Sequence, residues 1–177
     1  ADEVVPAWLE RIAAGDTAVD MPGVAQRRGG EVFFGGRGTL VRNLDSLPFL
    51  EYGDYFATAL RLNVPWIMLK GTIQLPFETS RGCWWGAKQH CTFCGLNALG
   101  MAYRSKSPER VLNEIHELAR RYNIYTFQAV DNILDHKHIE QVWSKLIENH
   151  FDYNIFYEVK ANLSQQQLGV LARSGVR

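Results

Sequence analysis

Residues 72–95 read TIQLPFETSRGCWWGAKQHCTFCG. TIQLPFETS has the pattern of a strand, and it runs straight into a loop that holds every cysteine of the chain: Cys83, Cys91 and Cys94. The spacings are x7 and x2, with Trp84 and Trp85 beside the first thiol. Thiols grouped this tightly read as metal ligands in a reducing compartment, and three of them cannot all pair as disulfides in one monomer. The cytoplasm is the expected location.

The pattern downstream repeats. SPERVLNEIHELARRY reads as a helix with Ser107 as N-cap, Pro108 in the first turn and Val111, Leu112, Ile115, Leu118, Ala119 and Tyr122 as its apolar stripe. NIYTFQAV is a second strand. HKHIEQVWSKLIENHF is a second helix, with Ile139, Val142, Trp143, Leu146 and Ile147 inward. NIFYEV is a third strand. SQQQLGVLARSG is a third helix, with Ser164 and Gln167 in capping-box spacing and Gly175 as terminator. Strands alternating with helices imply a parallel sheet, whose chemistry sits at the carboxyl ends of the strands. The cysteine loop follows the first strand there, Asp131 and Asn132 the second, and Glu158 and Lys160 the third.

Upstream, residues 5–14 read as a short amphipathic helix closed by Gly15, and PGVAQRRGGEVFFGG as a hairpin turning at Arg28-Gly29-Gly30. The GGRG at Gly35–Gly38 lacks the Lys-Ser/Thr of a phosphate loop and reads as a turn. VRNLDSLPFLEYGDYF is a linker leading into a short helix over residues 54–62.

The 177 residues suffice for a core, with 46% hydrophobic and 21% charged side chains. Basic and acidic residues balance at 19 each, which argues against nucleic acid as a partner. No apolar run is long enough to cross a bilayer, and ADEVVPAWLE is an acidic helix rather than a leader, so no membrane partner is expected. The abrupt start and end suggest a piece of a longer protein.

Three thiolates leave two metal readings open. A structural zinc needs a fourth ligand, for which His90 is the nearest donor, crowded against Cys91. A four-iron, four-sulfide cube on three thiolates leaves one iron open. Such a site is net negative, and Arg81, Lys88 and Lys106 would offset it, while Trp84, Trp85 and Phe93 would limit water access. Other groups have simpler readings: Asp131 as the cap of the next helix, Glu158 and Lys160 as a mutual pair, and His136 and His138 as solvent-facing residues opening the second helix.

A strand followed by a three-cysteine loop ending Cys91-Thr92-Phe93-Cys94 resembles the radical S-adenosylmethionine superfamily. The x7 step, CWWGAKQHCTFCG, departs from the commonest x3 spacing. It is similar to the cobalamin-dependent type of radical C-methyltransferase that matures ribosomally made peptides. MAYRSKSPERVLNEIHELARRY, QAVDNILD and FYEVKANL resemble the same branch, and DSLPFLEYGDYF resembles the linker that follows a cobalamin-binding domain. The resemblance spans about residues 40–177.

The resemblance implies an α/β fold: a partial (β/α) barrel of about three βα units with a parallel sheet, preceded by a small hairpin and linker region. Residues 1–16 would be the terminal helix of an upstream cobalamin-binding domain, 17–70 the hairpin and linker, and 71–177 the N-terminal half of the barrel. Cys83, Cys91 and Cys94 would hold a 4Fe–4S cluster. Phe93, Asp131, Glu158 and Lys160 would contact S-adenosylmethionine, with Asp131 at its amino group. Cobalamin would bind mostly outside this chain. The implied reaction is reductive cleavage of S-adenosylmethionine to a 5′-deoxyadenosyl radical, for C-methylation of a precursor peptide, with flavodoxin or ferredoxin as electron donor. Methylthiotransfer and peptide crosslinking stay open as other radical reactions, and a zinc-binding module as a non-catalytic one.

Overall fold

The computed structural model describes residues 2–16, 20–65, 73–96 and 101–177. Thr72, where the first strand of the βα series was expected to start, and the loop positions 97–100 lie outside the described residues. The chain forms two compact units, Ala1–Asn43 and Leu44–Arg177.

In the first unit, helix α1 spans Val4–Ala13 and carries Arg11 in its last turn, where its side chain pairs with Asp16 at 2.6 Å. Strands β1 (Ala25–Arg28) and β2 (Glu31–Phe34) pair antiparallel around Gly29-Gly30, with Arg28 of the expected turn paired to Glu31 in the ladder. The ladder continues past β2 through Gly35 N–H to Val24 O at 2.9 Å and Gly23 N–H to Gly36 O at 2.9 Å.

The second unit opens with a 3-10 turn, Leu44–Ser46, and helix α2, Gly53–Arg61. Strand β3 (Leu75–Phe77) leads to two short strands, β4 (Ser80–Arg81) and β5 (Arg104–Ser105), then α3 (Pro108–Tyr122) and β6 (Thr126–Ala129). Helix α4 follows as three consecutive stretches: α-helical His136–His138, π-helical Ile139–Trp143 and α-helical Ser144–Glu148. Strand β7 (Asn154–Phe156) and α5 (Gln165–Arg173) complete the unit.

Strands β3, β6 and β7 form a parallel sheet in that order, with Phe77 opposite Ala129 and Phe127 opposite Ile155. Among the described residues the sheet is three-stranded, with a further parallel bridge from Ile155 to Val176. Alternation makes it two-faced. Leu75, Phe77, Phe127, Ala129 and Ile155 point into one core with Ile115 and Leu118 of α3, Val142, Trp143 and Leu146 of α4, and Leu171 of α5. Pro76, Gln128 and Phe156 lie on the other, exposed face. A cleft of about 470 Å³ opens where Pro76 and Gln128 meet Tyr52, Tyr55 and Phe56.

The helix ends follow their sequence signals. Ser107 Oγ accepts the Arg110 N–H at 3.2 Å, and Asn123 ends α3 in the left-handed region at φ 53°. Ser164 and Gln167 complete the capping box of α5. Gly175 sits at φ +89°, where an added Cβ would lie 1.8 Å from Tyr153 O, so no other residue fits that turn. Residues 45–51 lie along α3: Arg110 donates to Asp45 O at 3.0 Å and Leu47 O at 2.7 Å and covers the Phe49 ring, while Arg121 and Tyr122 bond Glu51.

The strands are shorter than the apolar runs suggest. The sheet hydrogen bonding carries on from Phe77 O to Val130 N–H at 2.9 Å, but there the chain turns away to build the loop neck. His138 corrects the solvent-facing reading: it is buried, with Nε2 at 3.1 Å from Lys106 O. His136 is half-buried against Trp84, with ring centroids 5.0 Å apart.

Candidate metal centre

The cysteine loop is an excursion between two short antiparallel strands. Ser80 pairs with Ser105 and Arg81 with Arg104. Lys106 N–H to Thr79 O at 2.8 Å extends this neck toward the sheet, and Cys83 N–H to Met101 O at 3.3 Å extends it toward the loop. Gly82 lies inside the neck at φ +83°, and a Cβ there would lie 2.3 Å from Ala102 O. Gly82→Ala is expected to cost about 1–3 kcal/mol of stability, read as a lower urea midpoint, because backbone strain and overlap with a carbonyl act together.

Two buried arrangements brace the neck. Lys106 and Glu114, each with a side chain only 2% exposed, pair at 2.6 Å, and Glu78 lies 4.0 Å from the same ammonium. Glu78 also takes Arg81 through Nε at 2.8 Å and Nη2 at 2.7 Å. This corrects the expected charge balance: Arg81 and Lys106 face carboxylates of their own, and only Lys88 of the three stands exposed on the loop. On the other side, the Asp131 carboxylate accepts from Thr79 N–H at 2.8 Å, Thr79 Oγ1 at 2.5 Å, Ser80 Oγ at 3.0 Å and Tyr157 OH. Asp135, not Asp131, caps α4 by accepting the Lys137 N–H at 3.0 Å.

Burial raises the Asp131 carboxyl above its ordinary 3.8, against the lowering effect of its hydrogen bonds. Since the folded value is the higher one, the linked stability is full below 3.8 and fades as pH rises through the raised value. The difference in urea midpoint between wild type and Asp131→Asn is therefore expected to move against wild type as pH is raised from 3.8 toward neutrality at constant ionic strength. An unchanging difference would mean that Asp131 does not titrate in this range.

The loop is also tied to the strand ends that follow. Trp84 Nε1–H donates to Leu134 O at 2.9 Å, and Leu134 N–H donates to Glu158 O at 3.1 Å. Lys160 Nζ lies 4.0 Å from the Trp85 ring centroid. No ion pair joins Lys160 to Glu158 among the described residues, which corrects that reading of the two; Glu158 is exposed. A cleft of about 340 Å³ beside the loop is lined by Trp84, Lys88, Tyr103, Asp135, His136 and Lys137.

All three cysteines are free thiols and half-buried. Cys83 Sγ accepts the Gly86 N–H at 3.2 Å, and Cys94 N–H bonds Cys91 O at 3.1 Å. Among the described residues no three His, Cys, Asp or Glu side chains are gathered as a metal site. The donor set fits an iron–sulfur cluster in its chemistry, three soft thiols in one loop with a backbone N–H already on a sulfur. Phe93 is 90% exposed and screens nothing from water here. His90 Nε2 is engaged with Leu96 O at 2.7 Å.

The sequence reading missed the Lys106–Glu114 pair and the partners of Asp131. Glu114 was legible as a carboxylate between apolar positions 111 and 115 on the inward side of α3. Thr79, Ser80 and Tyr157 carried no local signal, because what joins them is strand adjacency.

A parallel sheet whose first strand opens into a clamped three-cysteine loop defines the class of site. No family model and no curated protein matches the chain significantly. Solved structures do. The radical S-adenosylmethionine methyltransferase TsrM from Kitasatospora setae, with cobalamin and a [4Fe-4S] cluster bound, aligns at TM-score 0.67 and 15% identity, over 100% of this chain and 35% of that one. The cobalamin-dependent S-adenosylmethionine radical enzyme OxsB aligns at TM-score 0.63 and 17% identity, over 96% of this chain and 25% of that one. The shared feature is the fold, and this chain spans about a third or less of either protein. Among the described residues no helix is long and apolar enough to cross a membrane.

Proposed function

We propose that this chain is part of a radical S-adenosylmethionine enzyme of the cobalamin-dependent type. The observation that carries the reading is three free thiols on one loop, clamped at the carboxyl end of the first strand of a parallel sheet. The likeness of fold to two such enzymes supports it. Cys83, Cys91 and Cys94 would hold a 4Fe–4S cluster. When bound, such a cluster supplies the electron that cleaves S-adenosylmethionine reductively to methionine and a 5′-deoxyadenosyl radical.

The protein's own contribution is to hold and orient. The neck fixes where Cys83 leaves the sheet. Phe93, exposed between the last two thiols, is available to stack on an adenine; Glu158 and Lys160 present polar groups from the end of β7. Asp131 stands at the strand end that the resemblance assigns to the methionine amino group. On this reading, the exposed sheet face with Pro76, Gln128 and Phe156 would line the interior of a barrel begun by these three parallel strands. Within this reading the substrate is a ribosomally made peptide methylated at carbon, with cobalamin as methyl carrier and a small flavin or iron–sulfur protein as electron donor.

The test is anaerobic reconstitution of the full-length protein with iron and sulfide. Binding of about four irons per chain is expected, with a reduced-state electron paramagnetic resonance signal that changes on adding S-adenosylmethionine. A colourless protein that takes up one zinc would overturn the proposal. Methylated peptide would separate C-methylation from methylthiotransfer or crosslinking.

A further inference from the structure

Where β3, β6 and β7 end, four buried side chains close a ring. Thr79 and Ser80 follow β3, Asp131 follows β6, and Tyr157 follows β7. Asp131 is 4% exposed and accepts four hydrogen bonds from the other three residues. Thr79 Oγ1 also lies 2.7 Å from Tyr157 OH. The Tyr157 ring packs edge-on against the buried Trp143, which fixes its hydroxyl from the core side. A carboxylate has about four lone-pair sites, so little capacity is left for a ligand, and the protein covers what remains.

We propose that Asp131 is a positioning residue for the cysteine loop: it acts on Cys83 through Thr79 and Ser80, and does not itself grip S-adenosylmethionine. The chain of contacts is short. Asp131 holds the N–H and hydroxyl of Thr79 and the hydroxyl of Ser80. Ser80 and Arg81 form one side of the neck, and Cys83 is the first thiol beyond it. Tyr157 locks the carboxylate to the next strand, so all three strand ends set the direction in which the loop departs. The ring holds three oxygen–oxygen contacts among Thr79 Oγ1, Tyr157 OH and Asp131 Oδ2, but the two hydroxyls bring only two protons. A proton on Asp131 would satisfy the third contact, one of its four hydrogen bonds then being donated rather than accepted, and burial raises the carboxyl in that direction. The link to a cluster rests on the function proposed above; the ring and its hold on the neck do not.

The experiment measures the alkylation rate of each cysteine by mass spectrometry in the full-length, reduced, metal-free protein, for Asp131→Ala, Asp131→Asn, Tyr157→Phe and Thr79→Val. Asp131→Ala is expected to speed alkylation of Cys83 about tenfold, with less change at Cys91 and Cys94, because local opening of the neck exposes the nearest thiol. Asp131→Asn should recover part of the protection, since its amide accepts from Thr79 N–H and donates to hydroxyls that can turn. Tyr157→Phe and Thr79→Val should shift Cys83 in the same direction. After reconstitution, both should alter the reduced-state resonance line shape as the Asp131 variants do. Wild-type protection of Cys83 in Asp131→Ala, with loss of S-adenosylmethionine binding in Asp131→Asn, would make Asp131 a direct ligand and overturn the inference. If Asp131→Ala does not fold, unchanged Cys83 rates in both Tyr157→Phe and Thr79→Val overturn it equally. The thiol readout needs no cluster, so it stands even if reconstitution shows that the protein is not a radical enzyme.

Discussion

Replacing Cys91 by alanine in the full-length protein should lower bound iron from about four per chain to below about one and abolish S-adenosylmethionine cleavage. A cube on three thiolates has no spare ligand on the protein side, and alanine offers none. The nearest other donor, His90, is engaged at Nε2 with Leu96 O. Cys83→Ala and Cys94→Ala should behave alike. The folded unit should survive, because none of the three side chains belongs to the core that holds α3, α4 and α5 on the sheet. Iron content, visible absorption and thermal unfolding separate these two expectations. A Cys91→Ala protein that stays brown and keeps its ligand-dependent resonance would remove this cysteine from the site.

Lys106→Met should be the most damaging single change to stability. Lys106 and Glu114 pair at 2.6 Å with side chains 2% exposed, so losing the ammonium leaves a buried carboxylate without its main partner. Arg110 Nε, at 3.6 Å from the same Glu114 oxygen, compensates in part. Breaking such a pair from one side costs about 3–5 kcal/mol. The double variant Lys106→Met/Glu114→Leu should recover most of that loss, since neither charge of the pair is then left buried without the other. Equilibrium urea unfolding of both variants is the check. Equal losses in the single and double variants would mean that Lys106 supports the neck through packing alone.

Local signals in the sequence carried as far as local forces reach. Ser107 with Pro108, the Ser164–Gln167 box and Gly175 each act within one turn of helix, so the residues name their own structure. The alternation of apolar runs with helical stripes predicted a parallel sheet, because the strands and the helices that connect them are both written along the chain. The neck was invisible for the opposite reason. Ser80–Arg81 and Arg104–Ser105 are too short to show any alternation, and they find each other only across the loop they enclose. The same holds for Asp131, whose partners come from positions 79, 80 and 157. His138 read as solvent-facing because DHKH is polar as a string, yet α4 turns it toward Lys106 O. The grouping of the cysteines on one loop was legible in the sequence, the support beneath that loop only in the fold.

The strand order β3-β6-β7 has a consequence for how the molecule comes apart. Leu75 meets Phe127 in one pairing and Phe127 meets Ile155 in the next, so the loop closed by the first pair is roughly twice as long as the second, an extra entropic cost of about 0.6 kcal/mol. Among the described residues strand β3 also sits at the edge of the sheet, and only β6 shares a ladder with it. The segment from β3 through the neck is thus the unit with the most to gain by leaving. The amides of Leu75 and Phe77 should exchange with solvent before those of Phe127 and Ile155, in a sub-global opening that lifts the thiols away while the remaining strands and helices stay docked. If the loop holds the proposed cluster, an opening of that kind would give a bulky inorganic core room to seat among the thiols without unfolding the protein that receives it.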